Sequence, residues 1–258
     1  MTTTAVPVTS THLSGVFCDV DAAVAAAREA FLAFSDCFLA QRRTFIKAVR
    51  EAASQQERLE YMATAAVEET RMGNAHHKVL KNLYAATRTP GVEDLVMEAH
   101  QGDDGLTTLE YSPYGVIGAI TPTTNPTETI ICNTVGMLSA GNTVVFSPHP
   151  RARRLSAWLV DVLNRAMIEA GAPENLITLI AEPTPATTTA LINHPDITML
   201  VATGGPQIVN MVLSSGKKAI GAGSGNPPAV VDETADVAKA ASDIVQGASF
   251  DNNLPCTA

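Results

Sequence analysis

One cysteine stands near the end of the sequence, at the close of the segment FDNNLPC, residues 250–256. Asn252, Asn253 and Pro255 precede it, whereas a core cysteine normally lies within an apolar run. A thiolate is a strong nucleophile, and helix ends or neighbouring charges can lower the pKa of a thiol enough to form one at neutral pH. We therefore take Cys256 as the candidate nucleophile.

The loop TPTTNP, residues 121–126, carries a second candidate. Two prolines hold this loop extended, and the amide of Asn125 can donate to the oxyanion that acyl chemistry at a cysteine develops. The alternative is that Asn125 only caps the helix predicted to begin near Thr127. The residues leave both interpretations open.

Two glycine-rich segments follow apolar runs. The segment TGGP, residues 203–206, ends a predicted strand, and Pro206 suits the first helical position, so the free amides there can hold a phosphate. A tight turn without a ligand is the alternative. The segment GAGSG, residues 221–225, differs from a dinucleotide fingerprint because NPP follows it instead of a helix. It is more typical of a turn that lets a ligand or a backbone approach closely.

The histidines and the other cysteines are weaker candidates. His149 ends a predicted strand among the ligand-facing loops, although a hydrogen-bonded loop histidine explains it as well. His76 and His77 fall in a predicted helix and are expected to be solvated. Metal-type spacing is absent from the remaining cysteines, so no metal site is expected; these are Cys18, Cys37 and Cys132.

Composition excludes several classes of protein. The 258 residues carry a formal net charge of −9, and such an acidic chain without a large basic cluster is a poor partner for nucleic acid. The N-terminus lacks the basic and apolar regions of a secretory signal. No apolar run approaches the roughly 18 residues that a membrane span needs. A cytoplasmic protein is expected.

Short apolar runs alternate with helical patterns in the second half of the chain. Strands are predicted at 116–120, 143–146, 176–180, 198–202 and 229–231, with a weaker one at 218–220. Helices are predicted between most of them, at 127–140, 152–170, 185–192 and 206–215. This alternation indicates a parallel sheet, whose ligands lie beyond the carboxyl ends of the strands. The ligand-facing loops are then 121–126, 147–150, 203–206 and 221–225.

The first half of the chain is different. Residues 1–14 form a flexible lead-in, and residues 15–93 are predicted to be helical. Residues 94–112 predict a β-hairpin around the turn GDDG at 102–105. The hairpin is either an outlying arm that pairs with another chain or segment, or a plain surface hairpin.

The ordered motifs TPTTNP, SPHPRA, TGGP, GAGSGNPP and FDNNLPC resemble the aldehyde dehydrogenase superfamily. The resemblance extends from about residue 15 to 258 and is strongest to the coenzyme-A-acylating propionaldehyde and acetaldehyde dehydrogenases of bacterial microcompartments. It implies an α/β fold with a Rossmann-type parallel sheet, an N-terminal helical part and a protruding hairpin. It also implies an NAD-binding domain at 113–250 and the start of the catalytic segment at 251–258.

The resemblance implies a mechanism. Cys256 attacks the aldehyde, Asn125 and the Cys256 amide hold the oxyanion, hydride passes to NAD, and coenzyme A takes the acyl group. Arg151 helps to neutralise phosphate. The residues carried over as cofactor contacts are Thr121, Pro122, Thr123, Ser147, His149, Gly204, Gly205, Gly221 and Gly223.

Two departures from the hydrolytic branch of the superfamily are informative. Gly221 stands where that branch has a water-activating glutamate, which favours coenzyme A as the acceptor over water. Ser147 replaces a lysine that commonly contacts the adenine ribose, so NAD is expected but NADP stays open.

Members of the superfamily continue for a further segment after the nucleophile, so the catalytic domain is expected to be absent from this chain. Residues 1–258 alone are then expected to give little or no turnover, whereas the full-length enzyme is expected to be a homo-oligomer. A non-catalytic nucleotide-binding or interaction module is the alternative function. A microcompartment shell is a further partner that the resemblance implies, although residues 1–14 predict no amphipathic targeting helix.

Overall fold

The computed structural model describes residues 13–255, beginning with a short strand and a helical layer. Helix α1 starts where the Asp19 side chain accepts a hydrogen bond from the Ala22 N–H at 2.8 Å, as an N-cap does. A hairpin separates these helices from the second half of the chain. The elements are β1 (Val16–Phe17), α1 (Val20–Ser35), α2 (Leu39–Ala53), α3 (Gln56–Thr70), α4 (Ala75–Arg88), β2 (Glu98–Gly102) and β3 (Gly105–Leu109).

Strands and helices alternate in the second half. Proline occupies the first turn of helices α5, α7 and α8, where its missing N–H has no intrahelical partner to lose. The elements are β4 (Val116–Ile120), α5 (Pro126–Ser139), β5 (Thr143–Ser147), α6 (Arg153–Glu169), β6 (Ile177–Ile180), α7 (Pro185–Asn193), β7 (Met199–Thr203), α8 (Pro206–Leu213), β8 (Lys218–Ala222) and α9 (Val237–Ser249).

Six strands form one parallel sheet in the order β1-β6-β5-β4-β7-β8, which confirms the predicted fold class. The chain moves outward from β4 through β5 to β6 and then returns to the other side of β4 with β7. The loops after β4 and β7 therefore diverge, which opens a crevice at their carboxyl ends.

Both faces of the sheet are covered. Val144 and Phe146 face the core shared with α2, α3, α5 and α6, whereas Val145 faces the core shared with α1 and α7. This alternation follows from the two-residue period of a strand. Every residue of β4, β5 and β6 is buried, and full burial of a large apolar side chain contributes about 1.5–3 kcal/mol. The sheet is thus a rigid base for the loops at its edge.

The structure corrects two strand assignments. The strand predicted at 229–231 is wrong: these residues are irregular, and Val230 is 90% exposed. Pro227 and Pro228 precede the run and have no N–H to donate to a ladder. The weaker strand predicted at 218–220 is present as β8. The strand that the sequence did not predict is β1, whose two residues pair with Leu179 and Ile180 and are too few to show a periodic pattern.

The predicted hairpin is present as antiparallel β2 and β3, and all of its strand residues are exposed. Whether the hairpin is an arm that pairs with another chain or segment, or a plain surface hairpin, stays a prediction. Residues 1–12 and 256–258 lie outside the described part of the chain, so the structure leaves most of the lead-in untested. No helix within residues 13–255 is both long and apolar enough to cross a bilayer.

Candidate active site

A cavity of about 1140 Å³ lies at the carboxyl ends of the strands. The loops after β4, β5, β7 and β8 line it, as the parallel topology requires. The described end of the chain also reaches it, through Asn253, Leu254 and Pro255. Cys256 itself lies outside the described residues. Its covalent neighbour Pro255 shares the cavity with Asn125.

The cavity collects most of the residues that the sequence singles out. Two described residues are exceptions, because Arg151 does not line the cavity and Gly221 lies in β8, where a Cβ would meet the Val209 Cγ1 of α8 at 2.7 Å. The role of Gly221 in cofactor binding stays a prediction. The predicted contacts that line the cavity are Thr121, Pro122, Thr123, Ser147, His149, Gly204, Gly205 and Gly223.

Asn125 occupies the N-cap position of α5, but its side chain makes no capping hydrogen bond. The capping interpretation is therefore wrong for the side chain. Its Oδ1 accepts a hydrogen bond from the Lys81 Nζ, and its Nδ2 donates to the Thr124 Oγ1 at 3.1 Å. An amide nitrogen carries two hydrogens, so the second N–H of Asn125 stays available to a ligand.

Two lysines of α4 and one aspartate form a buried charge cluster beside this amide. Lys78 Nζ lies 3.1 Å from Asp251 Oδ2, and both side chains are fully buried. Lys78 Nζ also donates to the Thr124 carbonyl at 3.0 Å. Lys81 bonds the same Asp251 oxygen and lies 3.4 Å from Glu128 Oε1. The cluster thus joins α4, the start of α5 and the turn that precedes Cys256.

Burial and partners set the charges of this cluster. Burial by itself raises the pKa of the Asp251 carboxyl. The hydrogen bonds from Lys81 and the Asn74 N–H, together with the charges of Lys81 and Lys78, outweigh this effect, so the pKa of Asp251 is lowered. The Asn74 N–H bond is 2.6 Å long. Burial lowers the pKa of Lys78, and the Lys81 charge adds to this, while Glu128 and Asp251 oppose it. Asp251 is therefore held as a carboxylate.

The turn at 250–253 has an unusual backbone. Asp251, Asn252 and Asn253 have φ values of 48°, 57° and 61°, a left-handed conformation that Asp and Asn tolerate better than other non-glycine residues. The Asp251 N–H donates to His77 Nδ1 at 2.9 Å, and the Phe250 ring stacks on His77 with centroids 4.6 Å apart. His77 therefore holds this turn, and the expectation of a merely solvated His77 is wrong.

His149 is both a loop residue and a cavity residue. Its Nδ1 accepts a hydrogen bond from the Arg151 N–H at 3.1 Å, so the hydrogen-bonded interpretation holds. Burial, and next the Arg151 charge, lower the pKa of His149, which favours the neutral ring. Its Nε2 is not used in this bond. Ser147, from the preceding strand, shares a 3.2 Å hydrogen bond with Thr188.

Three features of the cavity would suit a bound dinucleotide. A Cβ added at Gly205 or Gly223 would meet no atom within 4 Å, so both glycines leave open space at the cavity wall. The first amides of α8 have no intrahelical acceptor, which suits an anionic group. The buried Oγ1 of Thr121 has no hydrogen-bond partner.

The described cysteines do not compete with Cys256. Burial raises the pKa of the Cys132 thiol, although Thr89 donates to its sulfur at 3.1 Å. Burial also raises the pKa of Cys37. Neither these two nor Cys18 lines the cavity. Within residues 13–255 no group of three or more metal-ligating side chains occurs.

A family model described as "Aldehyde dehydrogenase family" matches residues 5–258. The chain belongs to the aldehyde dehydrogenase family. The propanal dehydrogenase (CoA-propanoylating) of Salmonella typhimurium is 49% identical over 244 residues, which are 95% of this chain and 52% of that protein. The chain thus spans about half the length of the curated aldehyde dehydrogenases that it matches.

Solved aldehyde dehydrogenase structures share the fold. The propionaldehyde dehydrogenase of Rhodopseudomonas palustris with bound propionyl-CoA is 58% identical with a TM-score of 0.92, covering 95% of this chain and 54% of that one. An engineered glycolyl-CoA reductase with bound NADP⁺ is 57% identical with a TM-score of 0.92, covering 96% and 56%. A propionaldehyde dehydrogenase from a fucose utilisation bacterial microcompartment of Clostridium phytofermentans is 52% identical with a TM-score of 0.90, covering 94% and 55%. The resemblance seen in the motifs is confirmed.

The charge cluster around Asp251 was not predicted from the sequence. Lys78 and Lys81 look like solvated charges on a helix, and Glu128 resembles a favourable acidic residue in the first turn of α5. One signal was present. The run Asp251-Asn252-Asn253 has the residue types that accept left-handed backbone, which marks an ordered turn.

Proposed function

We propose that the protein carrying this sequence is a coenzyme-A-acylating aldehyde dehydrogenase that oxidises propanal or acetaldehyde to the acyl-CoA with NAD. The observation that carries this proposal is the cavity shared by Asn125 and Pro255, the residue bonded to Cys256. The similarity to propanal and acetaldehyde dehydrogenases supports a short-chain aldehyde as the substrate.

The chain's own residues act as nucleophile and oxyanion donors in this proposal. The Cys256 sulfur adds to the aldehyde carbon, and the carbonyl oxygen becomes an oxyanion in a thiohemiacetal. The free N–H of Asn125, together with the Cys256 N–H, stabilises that charge. When bound, NAD supplies the hydride acceptor, and a thioester remains on Cys256. The thiol of coenzyme A then attacks the thioester carbon and releases Cys256 as a thiolate.

The second half-reaction depends on the absence of a water-activating carboxylate. Within residues 13–255 no carboxylate side chain lines the cavity. The two carboxylates of the charge cluster beside Asn125, Asp251 and Glu128, are paired with lysines. Gly221 offers no carboxylate either. A thioester on Cys256 is therefore expected to survive until a thiol acceptor arrives.

We propose that the predicted cavity residues hold the dinucleotide. Gly205 and Gly223 let it approach the backbone, the first amides of α8 face its phosphates, and His149 offers Nε2. Arg151 adds a positive charge near the phosphates. NADP stays a second possibility, because Ser147 stands where a ribose-binding lysine is common.

Further properties of the whole protein belong to the same proposal. We expect the full-length enzyme to be a homo-oligomer in the cytoplasm or in a bacterial microcompartment, as the origin of one similar structure supports. We also expect residues 1–258 alone to have little or no turnover. Comparing the two forms in one assay tests this expectation.

The test is NADH formation from propanal by the full-length protein. We expect NADH formation to require added coenzyme A and to be abolished by Cys256→Ala. The control variant Cys132→Ala is expected to keep NADH formation, since Cys132 lies outside the cavity. NADH release at a similar rate with water as the acceptor would show a hydrolytic enzyme. Nucleotide binding without any NADH formation would show the non-catalytic module instead.

A further inference from the structure

The Lys81 ammonium contacts three side chains, two at the start of α5 and one in the turn at 250–253. It donates to Asn125 Oδ1 and to the Asp251 carboxylate, and it lies 3.4 Å from Glu128 Oε1. Two of the three N–H donors of the ammonium are used in the hydrogen bonds to Asn125 and Asp251, and Glu128 adds an ion pair without a hydrogen bond. Its side chain is 11% exposed. Lys81 is therefore held in one place, and it does not line the cavity.

This contact fixes the orientation of the Asn125 amide. If the amide turned over, its NH₂ group would face the ammonium, and two donors would oppose each other in a largely buried site. Lys81 thus keeps Oδ1 on its own side and Nδ2 on the other, where one N–H is bonded to Thr124 Oγ1 and one is free.

The same contact changes the donor strength of the amide. A hydrogen bond from a charged donor is roughly twice as strong as a neutral one, and bonds in a chain polarise one another. A cation on Oδ1 draws electron density from Nδ2, so its remaining N–H becomes a better donor to an anion. This effect reaches the cavity only through Asn125.

Lys81 also connects this amide to the nucleophile's segment. Asp251 stands five positions before Cys256 in the sequence. Both Asn125 and Asp251 bond the same ammonium, so Lys81 sets the distance between the oxyanion donor and the turn that leads to the thiol. Lys78 differs, because on the Asn125 side it reaches only the Thr124 backbone carbonyl.

We propose that Lys81 is a positioning residue of the oxyanion site, which orients and polarises the Asn125 amide while Asp251 and Glu128 hold its charge. This inference rests on the proposed function, in which Asn125 is the oxyanion donor. It predicts a loss in the chemical step and not in aldehyde binding.

The experiment is a double-mutant cycle in the full-length protein, with propanal, NAD and coenzyme A. Lys81→Met is expected to lower kcat on the order of 10- to 100-fold and to change the KM for propanal little. In an Asn125→Ala background, the same substitution is expected to lower kcat little further, because the amide is gone and Lys78 and the Asn74 N–H still hold Asp251 in place. Lys81→Arg is expected to give an intermediate kcat, since it keeps the charge but not the geometry.

A matched control is Lys217→Met. Lys217 is also half-buried and donates to the backbone carbonyls of His194 and Ile197, at the opposite end of the sheet from the cavity. We expect this variant to lower the melting temperature and to keep kcat. If Lys81→Met does not fold, the Lys81→Arg variant completes the cycle with a smaller loss.

The outcomes separate the two proposals. An unchanged kcat in Asn125→Ala would overturn the oxyanion role and the proposed function with it. A large loss in Asn125→Ala with no loss in either Lys81 variant would overturn only the positioning role. Equal fold-losses of kcat from the Lys81 substitution with and without Asn125 would also overturn it, because Lys81 would then act independently of the amide.

Discussion

Asp251 and Lys78 form a fully buried ion pair of 3.1 Å across a separation of 173 positions in the chain. The pair fastens the turn before Cys256 to helix α4, and Lys81 extends it to Asn125. A buried charge needs its counter-charge, since taking it out of water is costly. The turn is therefore held to helix α4 and to the start of α5 by buried charges.

Removing Asp251 should destabilise the protein strongly. Asp251→Ala leaves Lys78 buried without its nearest counter-ion, and breaking a buried pair in this way costs about 3–5 kcal/mol. Urea unfolding of the full-length protein measures this. Glu51→Ala, which breaks the exposed Lys47–Glu51 pair, is the control and should change the unfolding free energy little. Equal effects of the two substitutions would contradict the role of the cluster.

Stability in acid should also depend on Asp251. Its pKa is lowered in the folded state, so its contribution is present above the ordinary carboxyl pKa of about 3.9 and is lost as the pH falls through the folded value. The difference in unfolding free energy between the native protein and Asp251→Asn should therefore shrink below about pH 4. Urea titrations at several pH values measure it. A difference that stays constant with pH would show that the carboxylate charge is unimportant.

Asn125→Ala should impair the chemical step. Loss of one oxyanion donor lowers kcat by about 10²- to 10³-fold, while the KM for aldehyde changes less. Steady-state kinetics with propanal in the full-length protein measure both constants. Asn210→Ala removes an exposed amide on α8 outside the cavity, so it should keep the native kcat. Similar kinetics for the two variants would argue against the oxyanion role.

Gly223→Val should weaken nucleotide binding without unfolding the protein. A Cβ at Gly223 meets no atom within 4 Å, so the new side chain occupies space at the cavity wall. We expect the Kd for NAD, measured by calorimetric titration, to rise at least about tenfold, which is 1.4 kcal/mol. Gly102→Val in the exposed hairpin is the control, since its Cβ is equally unhindered. An unchanged Kd in Gly223→Val would place the nucleotide elsewhere.

The parallel sheet was predictable because its signals are local. Apolar runs of about five residues, with glycine or proline at the loops, mark β4, β5, β6 and β7 in the sequence. Strand β1 was missed because two residues carry no period. The run 229–231 was wrongly assigned because its apolar residues match a strand, while the prolines before it remove backbone donors.

The candidate site was only partly predictable. Its loops follow strand ends, so topology alone brings Thr121, Ser147 and Gly205 together. The charge cluster depends instead on contacts between residues 170 or more positions apart, as between Lys81 and Asp251, and no local pattern reports such a contact. A buried lysine and a solvated lysine look the same in a helical sequence.

The central claim is that the nucleophile and the Asn125 amide share one cavity. Its most direct test is a crystal structure of the full-length protein with an acyl group trapped on Cys256. We predict that the acyl oxygen lies about 3 Å from Asn125 Nδ2, within the cavity at the strand ends. An acylated sulfur outside that cavity, with its oxygen remote from Asn125, would contradict the account.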